Sequence, residues 1–283
     1  MLDCNADLGE GAIWDSSAGV LYWVDIDRRE VHIFDPGTGK DRSFDVGQSV
    51  GTVVKRRSGG LMLAVRDGFG SLDPKTGKFE LVAAPEGHKP EHRFNDGKCD
   101  PQGRFWAGTM EAGDEKGALF RLDPGGNVRR MLPGVSVSNG IVWSLDKKTM
   151  YYIDTATGKV EAFDYDDKSG NISGRRAVVA VPADLGHPDG MTIDAEGMLW
   201  VAHWDGFCVC RWDSASGKLI RRVKLPTARI TSCAFGGPNL DQLYITSART
   251  GIDGEALSSQ HGAGGLWRIN PGVKGMPAFE FAG

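Results

Sequence analysis

Short apolar runs of four to six residues, rich in β-branched and aromatic side chains, recur along the chain between polar turns. Six stand out: Gly19–Val24, Gly60–Val65, Arg104–Thr109, Met150–Ile153, Met198–Ala202 and Gln242–Thr246. Their length and composition predict strands, because an amphipathic helix needs apolar positions three and four apart over a longer stretch. Each follows a turn such as Asp100-Pro101-Gln102-Gly103 or Asp194-Ala195-Glu196-Gly197, and each leads to a second turn of the kind seen at Asp35–Gly39, Asp73–Gly77 and Asp213–Gly217. Ahead of each run stands a segment in one common register, as in Glu10-Gly11-Ala12-Ile13-Trp14, Asn139-Gly140-Ile141-Val142-Trp143 and Asp189-Gly190-Met191-Thr192-Ile193. The anchors Gly11, Gly51, Gly97, Gly140, Gly190 and Ser232 are 40, 46, 43, 50 and 42 residues apart. A period near ~40–45 residues with about four strands per copy is the signature of a β-propeller. Six copies predict an all-β, six-bladed β-propeller filling residues 1–283 as one domain, with Leu2–Ala6 completing the last blade.

Composition narrows the function classes. Gly makes up 40 of 283 residues, about twice the usual ~7 %, as a chain of tight turns requires and a helical bundle does not. The net charge of −4 offers no footprint for nucleic acid or an anionic membrane. No apolar run reaches the ~18 residues of a membrane span, and Met1–Leu8 has no basic leader region, so a cytoplasmic protein is expected. The five cysteines contain no Cys-x-x-Cys pair and read as reduced, mostly buried thiols. Cys208 and Cys210 fall on one strand face, a spacing that predicts packing before a metal half-site.

In a propeller the first strand of every blade lines the axis, so equivalent positions of the repeats form a ring. The residues before the anchors are Glu10, Val50, Asp96, Asn139, Asp189 and Thr231. Asn-Gly and Asp-Gly are turn dipeptides, and others occur at Asp67-Gly68, Asp205-Gly206 and Asp253-Gly254. Glu10 is no turn former, yet it shares the register of Asn139 and Asp189. Two carboxylates and an amide aimed into one tunnel call for a cation, and all-oxygen donors suit Ca²⁺, Mg²⁺ or Mn²⁺, with Zn²⁺ admitted at low coordination number.

The same residues carry a resemblance. Leu8-Gly9-Glu10-Gly11 with Trp14, Arg93-Phe94-Asn95-Asp96-Gly97-Lys98, Gly108-Thr109-Met110, Ser138-Asn139-Gly140, Pro188-Asp189-Gly190 and Cys233-Ala234-Phe235-Gly236-Gly237 are similar to the gluconolactonase, or regucalcin (senescence marker protein 30), family, in order over essentially the whole chain. That resemblance implies a six-bladed propeller that hydrolyses sugar lactones with one divalent metal, Ca²⁺ foremost. It implies metal ligands at Glu10, Asn139 and Asp189, a catalytic base at Asp189, and substrate contacts at Arg93 and Asn95. The regucalcin branch has a further substrate-contacting carboxylate where this chain has Gly113, and Glu111 is the candidate to take over that contact. The expected partner is a small sugar lactone, and the expected state a monomer or weak oligomer. Alternatives are a lactonase or phosphotriesterase for another small ester, and a non-enzymatic calcium-binding regulatory propeller.

Other signals carry less. Gly47-Gln48-Ser49-Val50-Gly51 fits a nucleophile elbow in letters, but that motif needs a strand followed by a helix. Pro90 between His88 and His92 denies them a shared helical face. Asp164–Gly170 reads as a hairpin turn, and Trp23, Trp106, Trp200 and Trp267 as core between blades.

Overall fold

The computed structural model describes residues 2–283. Six antiparallel sheets follow one another along the chain, at residues 9–45, 50–83, 94–135, 138–180, 187–224 and 230–269. The first five have four strands each, with neighbours in sequence paired in space; the sixth has three. Their first strands, Gly9–Asp15, Val50–Lys55, Phe94–Cys99, Ser138–Trp143, His187–Ile193 and Ile230–Gly236, each pack against the next, and the last packs against the first. The sheets therefore close into a ring, the six-bladed β-propeller expected from the repeat. No helix among the described residues is long and apolar enough to cross a membrane.

Burial explains why the inner strands show no simple alternation. Gly9–Asp15 and Ser138–Trp143 are buried at every position, because both faces of a blade pack against neighbouring blades, whereas the outermost Leu219–Lys224 is mostly exposed. Trp106 and Trp200 lie fully buried between blades, and each donates its indole N–H to the aspartate that opens the turn ahead of its own strand: Asp100 and Asp194, both at 2.9 Å. The aspartates in turn accept from the backbone of their turns, so the Asp-x-x-Gly pattern ties the turn to the core. Trp23 is buried in the same way, but Trp267 is only half-buried, on the outermost strand of the sixth sheet.

At its anchor every inner strand carries one residue more than its partner. These six β-bulges turn the side chain ahead of the anchor towards the axis. Five of the six anchors are glycine, the sixth being Ser232, and at Gly140 adjacent blades nearly touch: a Cβ there would lie 2.5 Å from the Met191 Cβ and 2.9 Å from the Asp189 carbonyl oxygen.

The two ends of the chain tie the ring together. Leu2 exchanges backbone hydrogen bonds of 2.8 and 2.9 Å with Leu266, so the N-terminal segment adds a fourth element to the sixth blade, reduced to one bridge. Beyond the last strand the chain crosses the underside: Gly275 bridges Asp194, and Phe281 bridges Arg56. Met276–Phe279 thereby closes the far end of the axis over an apolar cavity of about 170 Å³.

Candidate functional site

At the open end of the axis lies a cleft of about 420 Å³ whose lining includes Glu10, Arg93, Asn95, Asn139 and Asp189. Residues from four blades, up to 179 positions apart in sequence, thus meet where the repeat register placed them. Glu10, Asn139 and Asp189 are each only 4 % exposed, and Asp96 stands beside them at 2 %.

Their electrostatics are unfavourable in isolation. Burial, together with the nearby Asp96 charge, pushes the Glu10 carboxyl up to about 8. Asp189 is driven well above the carboxylate range by burial and by the charges of Glu10 and Asp96, and burial raises Asp96 too. Three carboxyl groups resisting ionisation in one tunnel are what a bound cation would relieve.

Hydrogen bonding leaves the right atoms free. The Asn139 amide nitrogen donates to Thr155 Oγ1 at 2.9 Å, and that hydroxyl donates to the Pro188 carbonyl at 2.9 Å, which fixes the amide with Oδ1 free. Asn139 Oδ1, Asp189 Oδ1 and Asp96 Oδ2 are buried acceptors without a partner, while Glu10 Oε2 accepts the N–H of the adjacent Gly11 at 2.9 Å and the Glu10 and Asp189 carboxyl groups lie against each other. Buried oxygens are rarely left unpaired, and this all-oxygen set fits a hard divalent cation.

Over the carboxylates stands Arg93. It donates through Nη1 to Phe94 O at 3.1 Å and Asn95 Oδ1 at 2.9 Å, leaving other guanidinium donors available to the cleft. Asn95 passes the chain on through a 2.8 Å bond to Ser138 O, so its main effect is to hold Arg93 in place. Glu111 is not among the cleft residues: it is partly exposed and paired with Lys116, while Met110 faces the cleft instead. His88 contacts the Arg66 carbonyl at 2.6 Å and His92 stands 3.4 Å from Glu115; both are half-buried and line a separate cleft of about 480 Å³ that shares no residue with the axial one. The wall also includes Leu8, from the Leu8-Gly9-Glu10-Gly11 motif, and Thr155, His187 and Trp204, which no motif announced. Thr155 and Trp204 end or follow second strands, so only the repeat register together with the closed ring could have placed them.

A family model, the SMP-30/Gluconolactonase/LRE-like region, matches residues 8–249. Regucalcin of Xenopus laevis is 44 % identical over 284 residues, covering 98 % of this chain and 95 % of that protein. Two solved structures are similar throughout. One, described as a calcium-binding protein, regucalcin, from Agrobacterium tumefaciens, is 29 % identical with a TM-score of 0.93, covering 99 % of this chain and 95 % of the other. The second, a luciferin-regenerating enzyme, is 32 % identical with a TM-score of 0.91, covering 98 % and 96 %. With a family match over most of its length and a relative this similar end to end, the chain belongs to the SMP-30/gluconolactonase/LRE-like family.

Proposed function

We propose that the protein is a metal-dependent lactonase that hydrolyses sugar lactones, of the aldonolactone type, to the corresponding acids. The observation that carries this reading is the set of buried, unpartnered acceptors, Asn139 Oδ1 and Asp189 Oδ1 with Glu10 beside them, at the floor of a cleft roofed by Arg93. Membership of a family named for gluconolactonase supports it. Glu10, Asn139 and Asp189 would hold one divalent ion, with Ca²⁺ the first choice on donor hardness and on the description of the Agrobacterium relative as calcium-binding. When bound, such an ion polarises the lactone carbonyl and stabilises the negative charge that develops there.

The chain's own groups supply the rest. Asp189, with one free oxygen, takes a proton from the attacking water as the new bond to the acyl carbon forms, and returns it to the ring oxygen as the acyl–oxygen bond breaks. Arg93 donates to the hydroxyls of the sugar ring, with Asn95 as a positioning residue that keeps the guanidinium aimed. Leu8, Met110 and Trp204 present apolar surface that limits water around the ring. Glu111, paired with Lys116 outside the cleft, carries no step.

A second reading is favoured by the same Agrobacterium description: a calcium-binding propeller without turnover. A panel of aldonolactones, plain lactones and a phosphotriester, assayed with added Ca²⁺, Mn²⁺, Mg²⁺ or Zn²⁺ and with chelator, separates the possibilities. Chelator-sensitive turnover of aldonolactones is expected. Calcium binding without turnover of any substrate would leave the second reading standing, and preferential phosphotriester cleavage would reassign the substrate.

A further inference from the structure

Away from the cleft, the fifth blade holds a second cluster of donor atoms, of a different chemical kind. His203, Cys208 and Cys210 offer one ring nitrogen and two sulfurs that lie within 4.8 Å of one another, and all three residues are fully buried. They come from one hairpin: strand Leu199–Trp204 pairs with strand Cys208–Trp212, with His203 opposite Cys208 and Val201 opposite Cys210. Alternation puts the imidazole and both thiols on the face packed against the fourth blade, while the adjacent Trp204 reaches the cleft.

We propose that His203, Cys208 and Cys210 form a three-coordinate site for one soft cation, Cu(I). The sulfurs are 3.6 Å apart, close to the ~3.8–4.0 Å expected of two thiolates each ~2.3 Å from a common ion. His203 Nδ1 lies 3.0 Å from the Leu185 carbonyl, which can only accept; the ring proton therefore sits on Nδ1, and Nε2 keeps its lone pair. Nε2 is buried and has no partner. An imidazole oriented by a backbone carbonyl through one nitrogen, with the other free, is the usual support of a metal-binding histidine.

The donor count selects the metal. Among the described residues no fourth His, Cys, Asp or Glu joins the group, and the surrounding side chains of Val142, Ile153, Val160 and Leu185 are apolar. Zn²⁺ in closed sites takes four ligands, whereas two thiolates and an imidazole in a dry pocket suit a soft monovalent ion. Binding releases the two thiol protons. Two thiolates and Cu(I) leave one negative charge, and Arg222, paired opposite Cys210 and within reach of Cys208, carries the matching positive one. The turn that leads into Cys208 lies at the surface, with Phe207 42 % exposed.

The test is an anaerobic titration of the reduced full-length protein with Cu(I) in competition with bicinchoninate, with EDTA present to occupy divalent ions. Wild type is expected to retain one equivalent. Cys208→Ser, Cys210→Ser and His203→Gln should each weaken retention about tenfold or more, whereas Cys4→Ser, Cys99→Ser and Cys233→Ser should not. Near-ultraviolet circular dichroism shows whether each variant is folded. Copper X-ray absorption on the wild type gives an answer independent of mutagenesis, the expected shell being two sulfurs and one nitrogen. Unchanged retention in folded Cys208→Ser, a sulfur-free shell, or, in a parallel titration without EDTA, uptake of Zn²⁺ in preference to Cu(I) would each overturn the assignment.

Discussion

Glu10 shows how one side chain reports the state of the site. Its carboxyl, moved by burial and by Asp96 from the ordinary 4.5 up to about 8, keeps a proton in the folded chain that the unfolded chain releases. Without metal, stability should therefore fall as the pH rises from about 4.5 to about 8. A bound divalent ion requires the carboxylates ionised and is displaced by protons, so with saturating Ca²⁺ stability should instead fall as the pH drops. Thermal midpoints across that window, in EDTA and in Ca²⁺, check the reversal; parallel curves would speak against a shared ion. Asp189→Asn keeps an oxygen but loses the base, and kcat should drop about a hundredfold or more at confirmed metal occupancy. Activity within about threefold of wild type would move the proton transfer to another group. Arg93 offers donors that a plain aliphatic lactone cannot use, so Arg93→Ala should lower kcat/KM for aldonolactones far more than for γ-butyrolactone. Equal proportional losses would make Arg93 a support for the fold or the metal alone.

The bulged inner strand is the element on which the site depends. At Gly140 a methyl group would meet backbone and Cβ atoms of the neighbouring blade at 2.5–2.9 Å, none of them free to swing aside. Gly140→Ala should cost about 1–3 kcal/mol and, by pushing Asn139 and Asp189 apart, weaken Ca²⁺ binding disproportionately. Calorimetry with calcium titration checks both; an alanine variant with wild-type affinity would show that the bulge tolerates the shift. These anchors made most of the fold legible in advance, because six segments in one register admit one closed ring and place Glu10, Asn139 and Asp189 on its axis. What stayed hidden had no periodic signature. The hydroxyl of Thr155 that orients Asn139, the indole of Trp204 and the course of Met276–Phe279 under the ring depend on how blades meet. Glu111 was drawn towards the substrate by its place in sequence, whereas the local pairing with Lys116 holds it outside the cleft.

For the whole molecule, closure rests on a short latch. Leu2 with Leu266, and Ala6 donating to Gly264 O at 2.8 Å, supply three backbone hydrogen bonds that link the first residues to the last blade. At roughly 1 kcal/mol each, their loss on deleting residues 2–6 should lower the thermal midpoint by about 5–10 °C. Scanning calorimetry of the truncated chain measures it, and an unchanged midpoint would assign closure to the inner strands alone. Because the six bulges sit at one depth, the axis can be read as a word spelled one letter per blade: E, V, D, N, D, T. The two uncharged, unamidated letters serve the ring itself: Val50 is fully buried in the apolar core, and Thr231 Oγ1 donates to the Gly9 carbonyl across the seam between the last blade and the first. As it stands the word contains three acids. A divalent ion answers two of them, and the ammonium of Lys98, bonded to the Met191 carbonyl and lying close enough to ease Asp96, answers the third. Read this way, one divalent ion and one lysine would match the charge of the three acids, with Arg93 above them left as the positive charge that faces the guest, and any single-letter change to that charge asks for a different ion.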